Sequence, residues 1–302
     1  MILLWGPPQD SPLAMVRDAL AEQGAPVFFL DQARSGETDM DCRMDRGIAG
    51  SIRVGEAACD LEAVSAVYVR YHDPESFDPT GSRAQNHTAL LDEAVAAWVS
   101  VTPARVVNPF EAMASNGSKP YQLSLIREAG FSIPDTLVST DREAVESFWN
   151  QHRQIIYKSV SGVRSIVSRL KAGDRARLVD LRWCPTQFQE YVPGRDYRVH
   201  TVGQQAFACE ILSEADDYRY GDREGLPAEI NGYALPEDCA RRCCALALSL
   251  GLPVAGIDLR RTPEGEWFCF EVNPSPAFSY YEQATDQPIA EAIAALLAGD
   301  LR

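Results

Sequence analysis

The sequence predicts an α/β protein that opens with a parallel sheet, and two observations lead there. Strands and helices alternate over residues 1 to about 104, which is the pattern of a parallel sheet. Near the other end, two short strands joined by a turn read as a hairpin with acidic residues on one face. At 302 residues the chain is long enough for two or three packed units. Its 46% hydrophobic and 24% charged content is ordinary for a globular protein.

Taken in order, Ile2 to Trp5 is a buried strand, Ser11-Pro12 a helix cap with proline in the first turn, and Gly24 the helix stop. Val27 to Leu30 and Ala66 to Arg70 are further strands, and Ser82 to Val101 contains a long helix. No G-x-G-x-x-G follows the first strand, which argues against a dinucleotide site. The run Tyr68-Val69-Arg70-Tyr71-His72-Asp73 ends a strand in polar residues, where open α/β sheets bind ligands. A structural role for His72 is the simpler reading.

The next segment begins at Ala104-Arg105-Val106-Val107-Asn108-Pro109 and carries Lys119-Pro120 at the start of a helix that runs to Gly130. Thr140-Asp141-Arg142-Glu143 reads as a capping box for another helix. Ile155 to Val160 follows as a strand with Lys158 in its middle. A lysine among apolar residues either snorkels outward or meets an anion. The loop Ser161-Gly162-Val163-Arg164-Ser165 after it offers backbone donors that suit phosphate, although G-x-x-x-x-G-K-[ST] is absent from the chain. From Thr186 a strand reaches Val192, turns at Pro193-Gly194, and resumes with Asp196, Arg198 and His200 on one face. Ala206 to Leu212 is its partner, Asp216 to Gly225 a polar loop with Arg219 and Arg223, and Pro236 to Leu250 and Pro288 to Leu297 are helices.

The hairpin pairs Pro253 to Arg260 with Trp267 to Asn273. Ala255, Ile257 and Leu259 form the apolar face of the first strand. In the second, Phe268, Phe270 and Val272 alternate with Cys269, Glu271 and Asn273. With Glu264-Gly265 as the central turn residues, Asp258 faces Glu271, and Asn273 lies two residues along on the same face. Opposed like charges are destabilising, so a cation belongs between them. Two carboxylates and an amide oxygen suit Mg²⁺, which keeps its other positions for water and phosphate oxygens. A solvated face with two unrelated acids is the plainer alternative.

The net charge of −15 disfavours a nucleic-acid binder. Eight cysteines without a C-x-x-C pair read as small buried residues rather than a zinc site. The N-terminus lacks a basic leader, and no apolar run approaches the roughly 20 residues that cross a bilayer. A cytoplasmic protein with no membrane partner is therefore expected.

Lys119 ahead of a helix, Lys158 on a strand before a small-residue loop, Gln189-Glu190-Tyr191-Val192 with Gly194, Asp196-Tyr197-Arg198, Gly256-Ile257-Asp258 and Glu271-Val272-Asn273-Pro274 occur in that order. Together they resemble the ATP-grasp superfamily, and within it the RimK-like carboxylate–amine ligases. The resemblance covers residues 105–302. It implies an N-terminal α/β domain (1–104) followed by two α+β subdomains (105–187 and 188–302) that clasp ATP. It further implies that Lys119 and Lys158 contact phosphates, that Glu190, Tyr191 and Val192 form the adenine hinge beside Gln189, and that Asp196 meets the ribose. Asp258, Glu271 and Asn273 match the Mg²⁺ ligands, with Mn²⁺ as a substitute, while Arg198, helped by Arg219, faces the γ-phosphate. The loop after Lys158 departs from the family's glycine-richest versions, since it carries only Gly162 and adds Arg164.

The activity implied is amide formation between a carboxylate and an amine through an acyl phosphate, on a peptide, a protein or an amino acid. A homodimer is left open. A nucleotide-binding regulator without catalysis is the alternative, and retention of all three metal-ligand positions argues against it. A metal-dependent hydrolase would need a water-activating base, and the sequence supplies no His-rich ligand set for one.

Overall fold

The computed structural model describes residues 1–44, 47–72, 83–160, 166–213, 218 and 227–300, without the side chains of 83–86. Ile2–Gly6, Val27–Asp31, Ala66–Val69 and Arg105–Val107 form a four-stranded parallel sheet with Ile2–Gly6 and Ala66–Val69 at its centre. The sheet thus runs past residue 104. Ile2 and Leu4 face one core with Leu13 and Val16 of the helix Ser11–Glu22. Leu3 and Trp5 face a second core with Val95 and Trp98 of the helix Arg83–Val99. Burial on both faces is why this strand reads as a continuous apolar run.

The first helix is capped by Asp10, whose Oδ1 accepts from the Leu13 N–H at 2.9 Å. Ser11, expected to be the cap, is instead the first helical residue, and its hydroxyl pairs with that of Ser279 at 2.7 Å. The last helix, Ile289–Ala298, returns to this unit, where Ile289, Ile293 and Leu297 join the core of Ile2 and Leu4. Three antiparallel strands absent from the sequence reading, Thr38–Met44, Ile48–Val54 and Ala57–Asp60, cover the second core through Ile52 and Val54.

A four-stranded antiparallel sheet follows, in the order Ser168–Arg169, Ile155–Ser159, Thr186–Glu190, Thr136–Ser139. The helix Arg142–His152 packs on it through Val145, against Ile155 and Phe188. Its cap is Asp141, which accepts from the Glu143 N–H at 3.0 Å, rather than Thr140.

The third unit is a five-stranded antiparallel sheet in the order Glu229–Tyr233, Gln205–Leu212, Arg195–Val202, Val254–Arg261, Trp267–Asn273. The helices Lys119–Glu128 and Glu237–Ser249 cover one face, where Leu123, Ile126, Cys243 and Leu246 meet Val199 and Ile257. Six of the eight cysteines are buried; Cys42 is half-buried and Cys184 exposed. Among the described residues no helix is long and apolar enough to cross a membrane.

Leu4 is fully buried in the central strand of the parallel sheet. Leu4→Ala should therefore lower the unfolding free energy by about 2–5 kcal/mol, read from the midpoint of a chemical denaturation curve.

Candidate active site

Asp258 pairs with Glu271 and Gly256 with Asn273 in the hairpin, the register expected at the acids. Next to the turn the register differs by one residue: Arg261 pairs with Trp267 and Leu259 with Cys269, and a β-bulge at Phe270 restores the pairing at Asp258. The bulge changes which residues share a face. Cys269 joins Val272 in the core, both fully buried. Phe270 and Glu271 together line the cavity in front of the sheet. The expected strict alternation, with Cys269 beside Glu271, is therefore corrected.

The neighbouring strand pair carries an interlock of charges. Asp196-Tyr197-Arg198 runs antiparallel to Asp258-Leu259-Arg260, so Asp196 is opposite Arg260 and Arg198 opposite Asp258. Arg260 donates from Nε and Nη2 to the two Asp196 oxygens at 2.7 and 2.8 Å, and from Nη1 to the Val192 carbonyl at 2.9 Å. Arg198 Nη1 donates to Asp258 Oδ1 at 2.6 Å. Burial works against the Arg198 charge, but Asp258 and the Tyr281 and Tyr218 hydroxyls outweigh it and raise its pKa. A Cβ on Gly256 would lie 2.1 Å from Arg198 Nη2, so only glycine leaves room for the guanidinium.

Glu271 receives its own cation: Lys119 Nζ, buried at the start of its helix, lies 3.2 Å from Oε2. The like charges anticipated across the hairpin are thus each matched by a protein cation, and each ion pair engages one carboxylate oxygen. The acids keep 31% and 23% of their side chains exposed. Asn273 Oδ1 accepts from the Ser275 N–H at 2.9 Å, which fixes the amide in place. Two half-exposed carboxylates and a fixed amide oxygen are a donor set that fits Mg²⁺.

The cavity between the two antiparallel sheets is lined by Ile156, Lys158, Val167, Gln189, Glu190, Tyr191, Val192, Asp196, Tyr218, Asp258, Arg260, Phe270 and Glu271. The chain passes from one sheet to the other at Tyr191 to Gly194, between the strands Thr186–Glu190 and Arg195–Val202. Gln189 is buried and donates to Thr136 Oγ1 at 2.9 Å; its Oε1 has no partner among the described residues. The Glu190 carboxylate accepts from the Asp135 N–H at 3.0 Å and lies 3.5 Å from His152 Nδ1. Asp135, His152 and Glu190 cluster tightly, but each ring nitrogen already faces a carboxylate and Asp135 is exposed. Apart from Lys119, Arg198, Asn273 and Arg219, every residue given a catalytic, nucleotide-binding or metal-binding role from the sequence lines this cavity. Lys119, Arg198 and Asn273 border it through Glu271, Asp258 and the hairpin. Arg219 and the loop with Gly162 and Arg164 lie outside the described residues. The sequence reading missed Arg260 and Phe270, although the second Asp-x-Arg was a signal for Arg260.

His200 was placed on the strand face without a role. It is fully buried against Tyr281, ring centroids 5.0 Å apart, and its Nε2 lies 3.4 Å from Arg198 Nε. Since Arg198 can only donate, Nε2 is the unprotonated nitrogen. Burial first and Arg198 second push the His200 pKa well below the ordinary histidine value.

No protein-family profile matches the chain. A protein named probable alpha-L-glutamate ligase from Sodalis glossinidius (strain morsitans) is 25% identical over 76% of this chain and 80% of its own length. The macrocyclase MdnC from Microcystis aeruginosa MRC, solved with the precursor peptide MdnA, superposes with a TM-score of 0.81 at 26% identity, covering 98% of each chain. The ATP-grasp ligase PsnB, solved with a minimal precursor, Mg and ADP, gives 0.78 at 26% identity, over 99% of this chain and 97% of its own. The chain has the ATP-grasp fold of these ligases.

The buried neutral His200 has a consequence for stability against pH. In the unfolded chain it titrates near pH 6.5, whereas the fold resists its protonation. The contribution is present above that value and is lost as pH falls below it. The unfolding free energy should drop between about pH 6.5 and pH 5 with a slope of up to about 1.4 kcal/mol per pH unit from this group. His200→Gln should flatten that part of the profile in a pH series of denaturation curves.

Proposed function

We propose that the chain is an ATP-dependent carboxylate–amine ligase of the RimK-like kind, acting on a peptide. The observation that carries this reading is the opposed pair Asp258 and Glu271, each matched by its own cation, at the edge of a cavity walled by Lys158 and the chain crossing.

ATP fits that cavity. Ile156, Val167, Val192 and Phe270 give a flat base apolar walls, the backbone of Glu190 to Val192 its edge, and Gln189 Oε1 an acceptor for an exocyclic amine. Both Asp196 oxygens accept from Arg260, and each retains a lone pair for a ribose hydroxyl. Lys119 and Lys158 meet the phosphates. Asp258, Glu271 and Asn273 would hold Mg²⁺, or Mn²⁺ in its place, which supplies charge neutralisation on the phosphate oxygens.

The chemistry asks the protein for positioning and charge, not for a nucleophile. An oxygen of the substrate carboxylate attacks the γ-phosphorus, the bond to the bridging oxygen breaks, and ADP leaves. The amine nitrogen then attacks the acyl carbon, phosphate departs with the bonding electrons, and the nitrogen loses its proton. Arg198 faces the oxygens on which negative charge redistributes, and the sequence pattern assigns Arg219 as its helper.

A peptide substrate is favoured over a free amino acid because the two structural neighbours, solved with precursor peptides, match nearly the whole of this chain. The cytoplasm, where ATP is abundant, suits the reaction. The direct test is ADP release with a panel of carboxylates and amines, short peptides included. The coupled product should show the mass of its substrates less one water, and ADP release that no carboxylate stimulates would overturn the reading.

Asp258→Asn, Glu271→Gln and Asn273→Ala should each abolish ATP turnover in a folded protein, as steady-state assays at high Mg²⁺ would show. Turnover at the parent level in all three would remove the metal assignment.

Arg198→Ala separates nucleotide binding from chemistry. It should still bind ATP by calorimetry, while single-turnover ADP release slows by roughly 10²–10³-fold. Arg198→Lys should recover little, since lysine lacks the forked donor geometry.

A further inference from the structure

The strand Trp267–Asn273 is at the edge of the five-stranded sheet and continues as Pro274-Ser275-Pro276. An edge strand that carries metal ligands on one side needs support on the other. Gln122, 2% exposed, donates to the Val272 carbonyl at 2.8 Å and accepts from its N–H at 3.0 Å. Asn108, 3% exposed, donates to the Pro274 carbonyl and exchanges hydrogen bonds with the backbone of Val254. Both act on backbone alone.

The third support reaches a side chain. Arg70 follows the strand Ala66–Val69 of the N-terminal parallel sheet and is 8% exposed. Its Nε and Nη2 donate to Asp10 Oδ1 and Oδ2 at 3.0 and 2.7 Å, and Asp10 is itself fixed as the cap of the first helix. Its Nη1 donates to Ser275 Oγ at 2.7 Å and to the Pro276 carbonyl at 3.2 Å. The N–H of Ser275 in turn donates to Asn273 Oδ1 at 2.9 Å. A continuous series of hydrogen bonds therefore joins the first helix to the amide oxygen of the hairpin.

We propose that Arg70 is a positioning residue for the metal site, holding Ser275 so that its N–H orients Asn273 Oδ1. The inference rests on Asp258, Glu271 and Asn273 being the metal ligands. It assigns the N-terminal unit a part in metal binding that a plain domain contact would not have. Groups that orient metal ligands typically matter 10–100-fold in metal affinity. Among the described residues Arg70 donates to Asp10, Ser275 and Pro276, none of which lines the cavity, so affinity for metal-free ADP should be independent of it.

The test is Mn²⁺ binding in the presence of ADP, followed by the electron paramagnetic resonance signal of free Mn²⁺, with metal-free ADP affinity measured by calorimetry. Arg70→Met should weaken Mn²⁺ about 10–100-fold and leave metal-free ADP affinity unchanged. Ser275→Ala should weaken Mn²⁺ in the same direction, and the double variant should be no worse than Arg70→Met, because Arg70 acts through Ser275. Should Arg70→Met fail to fold, Ser275→Ala and Arg70→Lys carry the measurement. Asp258→Asn is the reference. If it loses Mn²⁺ while the Arg70 and Ser275 variants bind as the parent does, the positioning role is wrong and the metal site stands. If Asp258→Asn itself keeps parental Mn²⁺ affinity, the metal site and the proposal fall together. Loss of metal-free ADP affinity in step with Mn²⁺ would also overturn it, as general loosening of the cleft.

Discussion

Two antiparallel strands that both read Asp-x-Arg set the register on which the site depends. In the observed pairing each aspartate meets an arginine, Asp196 with Arg260 and Asp258 with Arg198. A slip of two residues one way would put Asp196 opposite Asp258, and the other way Arg198 opposite Arg260. A slip of one would turn the whole set to the opposite face. The charges therefore select one alignment by penalising its neighbours. Arg198 is buried while Asp258 keeps 31% of its side chain exposed, so losing Asp258 would leave a buried guanidinium without its carboxylate. The same pairing that organises the sheet thus places the acidic ligand, and the absence of a Cβ at Gly256 gives Arg198 its seat.

The second strand of the hairpin is held differently. It has a neighbouring strand on one side only; its other side meets the Ser132 backbone, whose carbonyl accepts from the Cys269 N–H at 2.9 Å, and the Gln122 side chain, while Asn108 and Arg70 hold its continuation at Pro274 to Pro276. Two of these belong to segments before residue 110. A sheet edge that would otherwise be a flexible border becomes a fixed wall of the cavity, with Lys119 reaching Glu271 from the same side as Gln122.

Much of this was legible in the sequence, for identifiable reasons. The pairing of Asp258 with Glu271 followed from the turn and the alternation, yet it holds because two departures cancel: the turn shifts the register by one and the bulge at Phe270 shifts it back. A bulge leaves no compositional mark here, so although Cys269 was expected to be buried, its place on the face opposite Glu271 was out of reach. Asp10 was overlooked as a cap because Ser11-Pro12 also carries a helix-start signal, and only the backbone at Asp10 decides between them. The strands between Thr38 and Asp60 were missed because acids and arginines alternate with few large apolar residues, Ile52 and Val54 being the main anchors. Arg70 looked like the polar end of a strand; its partner Ser275 is 205 residues away.

The return of the last helix to the first unit bears on how the chain is made. Ile289, Ile293 and Leu297 share the core around Ile2 and Leu4 with Leu13 and Val16 of the helix Ser11–Glu22, so this face of the parallel sheet is only partly covered until residues 289–298 have been made. Domains generally fold as units, the N-terminal one first during synthesis. Here the antiparallel sheets of the cleft have all their strands before residue 274, whereas one core of the parallel sheet also needs residues 289–298. Until that helix is made, part of the apolar surface around Ile2 and Leu4 is uncovered and open to misassembly.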